Sequence, residues 1–230
     1  MKPGGTAPVH PALVSIGRSG VVPLLASSDP TVLWEAAQAI VEAGFGVMEV
    51  ALRRPGVLPA LAQLTERVEQ SGLPLTVGAG TVLDVASAEA AIDCGAKFVF
   101  SPVLTPDVGA RCLSAEVAWL PGCATPTEVH TALELGCDAV KLFPVDLLGG
   151  PAFLRALRSV FDDFPAIPSG GIDPQPEALA EWFGAGAVAV GAGASLFPRD
   201  AIADGDWDGV GRRLAAAARA VTLTRDMRTG

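Results

Sequence analysis

The chain has 230 residues, half of them hydrophobic and 18% charged, with a formal net charge of −9. Such apolar content excludes a disordered chain, and the acidic balance argues against a nucleic-acid or anionic-membrane surface while leaving room for a small anion in a local pocket. The length suits one (β/α)8 barrel, which typically takes ~250 residues, as well as two smaller domains.

The first ten residues, MKPGGTAPVH, lack the apolar core of a signal peptide. The most apolar stretch, 185–197, is broken by glycine and too short to span a bilayer. Four cysteines at 94, 112, 123 and 137 form no C-x-x-C pair and have no nearby histidine at zinc spacing. They read as buried thiols of a reducing compartment, so a soluble cytoplasmic protein is expected. There is no tyrosine, His10 and His130 are the only histidines, and Lys2, Lys97 and Lys141 are the only lysines against 13 arginines. A site of two or three histidines on a metal is therefore not expected, and a lysine inside an apolar strand invites a question.

In chain order, the predicted strands are VVPLLA (21–26), VMEVAL (47–52), LTVGAG (75–80), FVFSP (98–102), AWLPGC (118–123), AVKLFP (139–144), AIPSGG (166–171) and AVAVGAG (187–193). A helix over 31–44 follows Ser28-Asp29-Pro30, a capping residue with proline at an early helical position, and closes at Gly44. VASAEAAIDCG (85–95), PTEVHTALELG (126–136), GPAFLRALRSVF (150–161) and PQPEALAEWFGAG (174–186) read the same way, and a last helix covers 207–222. Eight strands alternating with helices predict a closed parallel barrel or a doubly wound open sheet. Their even spacing favours a single (β/α)8 TIM barrel, with its core about 16–222 and functional residues at the strands' C-terminal ends. Residues 1–15 and 223–230 read as tails, the first able to form a short helix across the barrel floor.

Polar residues in doubly buried strands need a reason. Lys141 lies mid-strand in AVKLFP. Burial disfavours an ammonium, and a neutral amine is a nucleophile for carbonyl carbon; a structural ion pair is the other reading. Glu49, Ala51 and Arg53 share one strand face, with Glu49 and Arg53 ~13 Å apart. Glu49 is either a proton carrier in a dry pocket or half of an ion pair. Arg53 offers a planar fork for a carboxylate. Thr81, after Gly78-Ala79-Gly80, either holds a carboxylate oxygen or caps the next helix. Glycine-rich turns after the seventh and eighth strands, at Gly170-Gly171 and Gly191 to Ser195, stand where barrels commonly bind phosphate. His130 reads as a helix-surface residue, and Cys123 and Cys137 as core thiols.

GFGVMEVALR (44–53), VGAGTVLD (77–84), PGCATPTE (121–128), VKLFPVDLLGG (140–150) and SGGI (169–172) together resemble the 2-keto-3-deoxy-6-phosphogluconate (KDPG) aldolase family, over about 21–198. That family includes the 2-keto-3-deoxy-6-phosphogalactonate and 4-hydroxy-2-oxoglutarate (KHG) aldolases. The resemblance implies a class I aldolase that uses no metal and no other cofactor. It would cleave a 2-keto-3-deoxy sugar acid phosphate, with 2-dehydro-3-deoxy-6-phosphogluconate first among the three candidates. Lys141 would form the Schiff base and Glu49 would move protons. Arg53 and Thr81 would hold the pyruvyl carboxylate, Pro102 and Phe143 would line the pocket, and Gly170, Gly171, Gly193 and Ser195 would receive the distal phosphate. The family also implies a homotrimer. The chain departs from the pattern at Ala26, Val103 and Ala194, where relatives place Arg, Gly and Ser. A non-catalytic phosphate-binding barrel, or a different phosphosugar enzyme on the same scaffold, is the rival.

Overall fold

The structure, a computed structural model, describes residues 9–161 and 163–229. It opens with α1 (Pro11–Ser19), whose first turn is capped by His10: the imidazole accepts the Ala12 N–H at 3.1 Å. Gly20 ends the helix at φ 69°, a left-handed conformation that glycine adopts without a Cβ clash. Strands and helices then alternate: β1 (Val21–Leu25), α2 (Pro30–Glu42), β2 (Val47–Ala51), α3 (Val57–Ser71), β3 (Thr76–Gly80), α4 (Val85–Asp93), β4 (Phe98–Phe100), α5 (Pro106–Ser114), β5 (Ala118–Leu120), β6 (Gly122–Cys123), α6 (Pro126–Glu134), β7 (Val140–Leu142), α7 (Pro151–Arg158), β8 (Ala166–Pro168), α8 (Pro176–Gly184) and β9 (Val190–Ala192). Two helices, α9 (Arg199–Asp204) and α10 (Trp207–Thr229), follow.

Local chemistry sets several helix starts. Asp29 and Thr125 sit just before Pro30 and Pro126, and their side chains accept the N–H groups of Thr31 and Glu128. Asp84 and Ser87 form a reciprocal capping box at α4.

The strands form a curled parallel sheet of six in the order β5-β4-β3-β2-β1-β9, and a second parallel sheet β6-β7-β8. Isolated bridges pair Ala166 with Ala187 and Ser169 with Gly191. The α/β expectation and the parallel order hold. Side chains alternate between two apolar clusters. Val21, Met48, Val50, Val99, Trp119, Val140 and Val190 pack against the helices. On the other face Val22, Val47, Phe98, Phe100, Leu120 and Ile167 pack on one another, with Ile16 of α1 beneath them.

The strands expected over 98–102, 139–144 and 166–171 are shorter, ending at Phe100, Leu142 and Pro168, and three further details differ from the sequence reading. The strand expected over 118–123 is split at Pro121, which has no N–H for the ladder; β5 pairs with β4 and β6 with β7. The last strand starts at Val190, because Ala187 and Val188 join their neighbour only through one bridge and one hydrogen bond, Val188 N–H to the Ala166 carbonyl at 3.0 Å. The final helix runs on to Thr229 rather than stopping at 222. There Thr224 is buried and the Arg225 guanidinium donates to the Gly17 and Arg18 carbonyls at 2.5 and 2.7 Å. The expected helix within the N-terminal tail is α1, while residues 1–8 lie outside the described residues. No helix among the described residues is long and apolar enough to cross a membrane.

Candidate active site

β2 and β7 each carry a charged residue inward among apolar neighbours. Glu49 shares its face with Val47, and Lys141 shares its face with Ala139 and Phe143. Their side chains are 1% and 5% exposed, and Lys141 Nζ stands 3.8 Å from Glu49 Oε1. That separation exceeds a hydrogen bond, and Glu49 Oε1 has no hydrogen-bond partner. The Lys141 nitrogen also lies 4.9 Å from the centre of the Phe100 ring and 5.5 Å from that of Phe143. A buried carboxyl without a hydrogen-bond partner and a buried amine are costly to hold in a fold. Here they face each other, 92 residues apart in sequence.

Glycines make the space. Gly80, at the end of β3, lies so close to the Glu49 carboxylate that a Cβ there would strike Oε1. Gly122 is the register partner of Lys141, and its missing side chain lets the Pro102 carbonyl pack against the strand. Pro102 is thereby brought beside the Lys141 strand pair.

Arg53 follows β2, and its Nε donates to Thr81 Oγ1 at 3.3 Å. Thr81 holds φ 60°, an unusual conformation for a β-branched residue. The capping role open to it in the sequence is filled by Asp84. Thr81 is thus free to pair with Arg53 at the rim.

The two glycine-rich turns adjoin, with Ser169 bridged to Gly191. Gly193 and Ala194 line a cleft of about 560 Å³ with Arg53. Gly170, at φ 104°, packs against Phe143 and Pro144, and Gly171 lies against the Asp146 carboxylate. Ser195 donates its hydroxyl to the Ile172 carbonyl at 3.1 Å and faces a different hollow, beside Arg212 and Arg213. A cavity of about 750 Å³ opens between Arg158 and Arg225 at the N-terminal ends of the strands, away from this chemistry.

One residue beside the lysine, Phe100, was not singled out in the sequence. Phe100 was legible only as a strand residue, although its spacing from Phe98 puts both on the inner face. Ser169 is buried on the Ile167 side of β8 and reaches into space that Gly191 leaves open. Cys123 lies close by at the end of β6, but burial pushes its thiol up to about 12, so it stays protonated and acts as packing. His130 is exposed on α6, stacked on Phe161 and 3.6 Å from Glu134. Among the described residues no group of three His, Cys, Asp or Glu side chains could hold a metal ion.

Comparison with known proteins adds three kinds of likeness. Residues 15–213 match the family described as KDPG and KHG aldolase. The chain is 38% identical over 174 residues to a 2-dehydro-3-deoxy-phosphogluconate aldolase of Treponema pallidum, covering 76% of this chain and 80% of the relative. It is 33% identical over 160 residues to a 2-dehydro-3-deoxy-6-phosphogalactonate aldolase of Escherichia coli, covering 69% and 75%. Among solved structures, a KDPG aldolase from Legionella pneumophila, with pyruvate captured as a covalent carbinolamine intermediate, matches at TM-score 0.81 and 27% identity, over 89% of this chain and 97% of that one.

Proposed function

Because this chain belongs to the KDPG and KHG aldolase family, we propose that it is a class I aldolase in which Lys141 forms a Schiff base with a 2-keto-3-deoxy sugar acid phosphate. The first substrate on this reading is 2-dehydro-3-deoxy-6-phosphogluconate, split to pyruvate and D-glyceraldehyde 3-phosphate. The observation that carries it is the buried Lys141–Glu49 pair at 3.8 Å.

The Lys141 amine adds to the C2 ketone, giving a carbinolamine. Glu49 protonates the departing hydroxyl, water leaves, and a protonated imine forms. Glu49, now a carboxylate, takes the C4 hydroxyl proton directly or through one water. The C3–C4 bond breaks, its electron pair moves toward the imine nitrogen, and the aldehyde departs. The enamine left on Lys141 takes a proton at C3, and water hydrolyses the resulting imine to release pyruvate and the free amine. Arg53, held by Thr81, pairs with the pyruvyl carboxylate through its guanidinium fork. Phe100, Phe143 and Pro102 keep the reacting carbon in apolar surroundings.

The same reading treats the strands as one closed (β/α)8 barrel in a single domain. Its support is that β5 and β6 are collinear in sequence around Pro121, β9 pairs with β1, and Ser169 bridges to Gly191.

The test is pyruvate release, followed by a coupled dehydrogenase, from the phosphogluconate-type, phosphogalactonate-type and 4-hydroxy-2-oxoglutarate substrates. The expected result is turnover greatest on the first, none in Lys141→Ala, and a ~10²–10⁴-fold slower rate in Glu49→Gln. Undiminished turnover in Lys141→Ala would refute the reading.

A further inference from the structure

We propose that Phe100 is a positioning residue whose ring face stabilises the positive charge that the Lys141 nitrogen carries as a protonated imine. The inference rests on the aldolase reading above and adds to it a residue that the reaction chemistry alone does not require.

The nitrogen is neutral as it attacks C2. It becomes positive when the carbinolamine hydroxyl leaves as water with a proton from Glu49. It loses that charge when the C3–C4 electron pair moves toward it. Among the described residues Glu49, facing it from β2 at 3.8 Å, is its ion-pair partner. The register neighbours of Lys141 on β6 and β8, Gly122 and Ile167, carry no charge. From β4 comes Phe100, with the nitrogen over its ring at 4.9 Å from the centre. An aromatic face is the negative part of a quadrupole and attracts a cation within ~6 Å. Phe100 is 1% exposed, so water does little to screen that attraction. Phe143 stands farther away, at 5.5 Å, and is only half-buried, which makes it the weaker partner.

The ring is also held in place. Phe98 meets it at 5.5 Å between centres with the two planes 81° apart. Phe98 in turn fills the space of Gly78, where a Cβ would strike its ring, and Gly78 is the register neighbour of Glu49. Gly78 and Gly80 lie on one face of β3. The first makes room for the aromatic pair and the second for the carboxylate. Packing alone could be met by an aliphatic side chain, which has no quadrupole to offer a cation.

The test uses the full chain with mono-, di- and trifluorinated phenylalanine placed at position 100. Fluorine withdraws electron density from the ring face and adds little volume. Each protein is incubated with pyruvate and cyanoborohydride across a range of pH, and the reduced adduct on Lys141 is measured. The pH profile of adduct formation is expected to move to lower pH with each added fluorine, by about one pH unit in all, because a charged nitrogen that loses the ring needs more acid to persist. Phe100→Leu is expected to move it at least as far. Loss of a purely structural contact would lower the yield at every pH without moving the profile. A profile that stays in place through the fluorinated series, whatever its height, overturns the inference, and the series decides the matter even where Phe100→Leu does not fold. Failure of the aldolase reading is seen separately, as a wild-type chain that forms no adduct on Lys141 at any pH.

Discussion

At the scale of single residues, the site depends on a side chain that is absent as much as on those present. Glu49 keeps its position because Gly80 offers no Cβ to displace it. Gly80→Ala is therefore expected to push the carboxyl away from Lys141 and cost ~10²-fold in turnover, the scale of an ångström-sized misplacement, while the chain still folds. Steady-state kinetics with circular dichroism checks this; an alanine variant of full activity would mean that the glutamate's position does not matter. Lys141 and Glu49 were each legible as polar intrusions in apolar strands, and Arg53 as their rim. Their pairing was implied by the family resemblance rather than by local sequence, because contact between β2 and β7 depends on how the sheets curl. Ser195 shows the converse: its place after the last strand was legible, but its hydroxyl bond to Ile172 depends on a neighbouring loop.

At the scale of elements, helix starts were the most legible features, since Asp29-Pro30 and Thr125-Pro126 act within one turn. The end of α10 was not legible, because its last turns are fixed by Arg225 reaching back to Gly17 and Arg18, more than two hundred residues away. Packing between elements is tight where small residues permit it. Gly109 of α5 lies over the buried Trp119 ring, with only 2.5 Å between a Cβ built there and the nearest ring atom. Gly109→Ala is expected to destabilise the fold by ~1–3 kcal/mol through overpacking, although alanine favours helices, and a urea melt measures it. A melt unchanged or more stable would show that α5 can shift outward at no cost.

For the whole molecule, burial of thiols predicts an alkaline limit to stability. Burial pushes Cys112 up to about 11 and Cys123 up to about 12. In the unfolded chain both would ionise near ~8.5. Between that value and pH 11 the unfolded state binds fewer protons than the folded one, so stability falls as pH rises. Unfolding midpoints at pH 8 and pH 10 should differ less in a Cys112→Ala, Cys123→Ala double variant than in the wild type; an equal fall in both would assign the alkaline loss to other groups. The parallel α/β order was legible from the even beat of apolar runs, whereas the break at Pro121 and the late start of β9 depend on hydrogen bonding between neighbouring strands.

The central claim is that one buried amine bonds covalently to a keto acid. Incubation with pyruvate and borohydride, followed by peptide mass spectrometry, tests it most directly. The account predicts a single reduced pyruvyl adduct on Lys141, formed more slowly in Glu49→Gln. An unmodified Lys141, or label confined to Lys97 or other exposed amines, would contradict it.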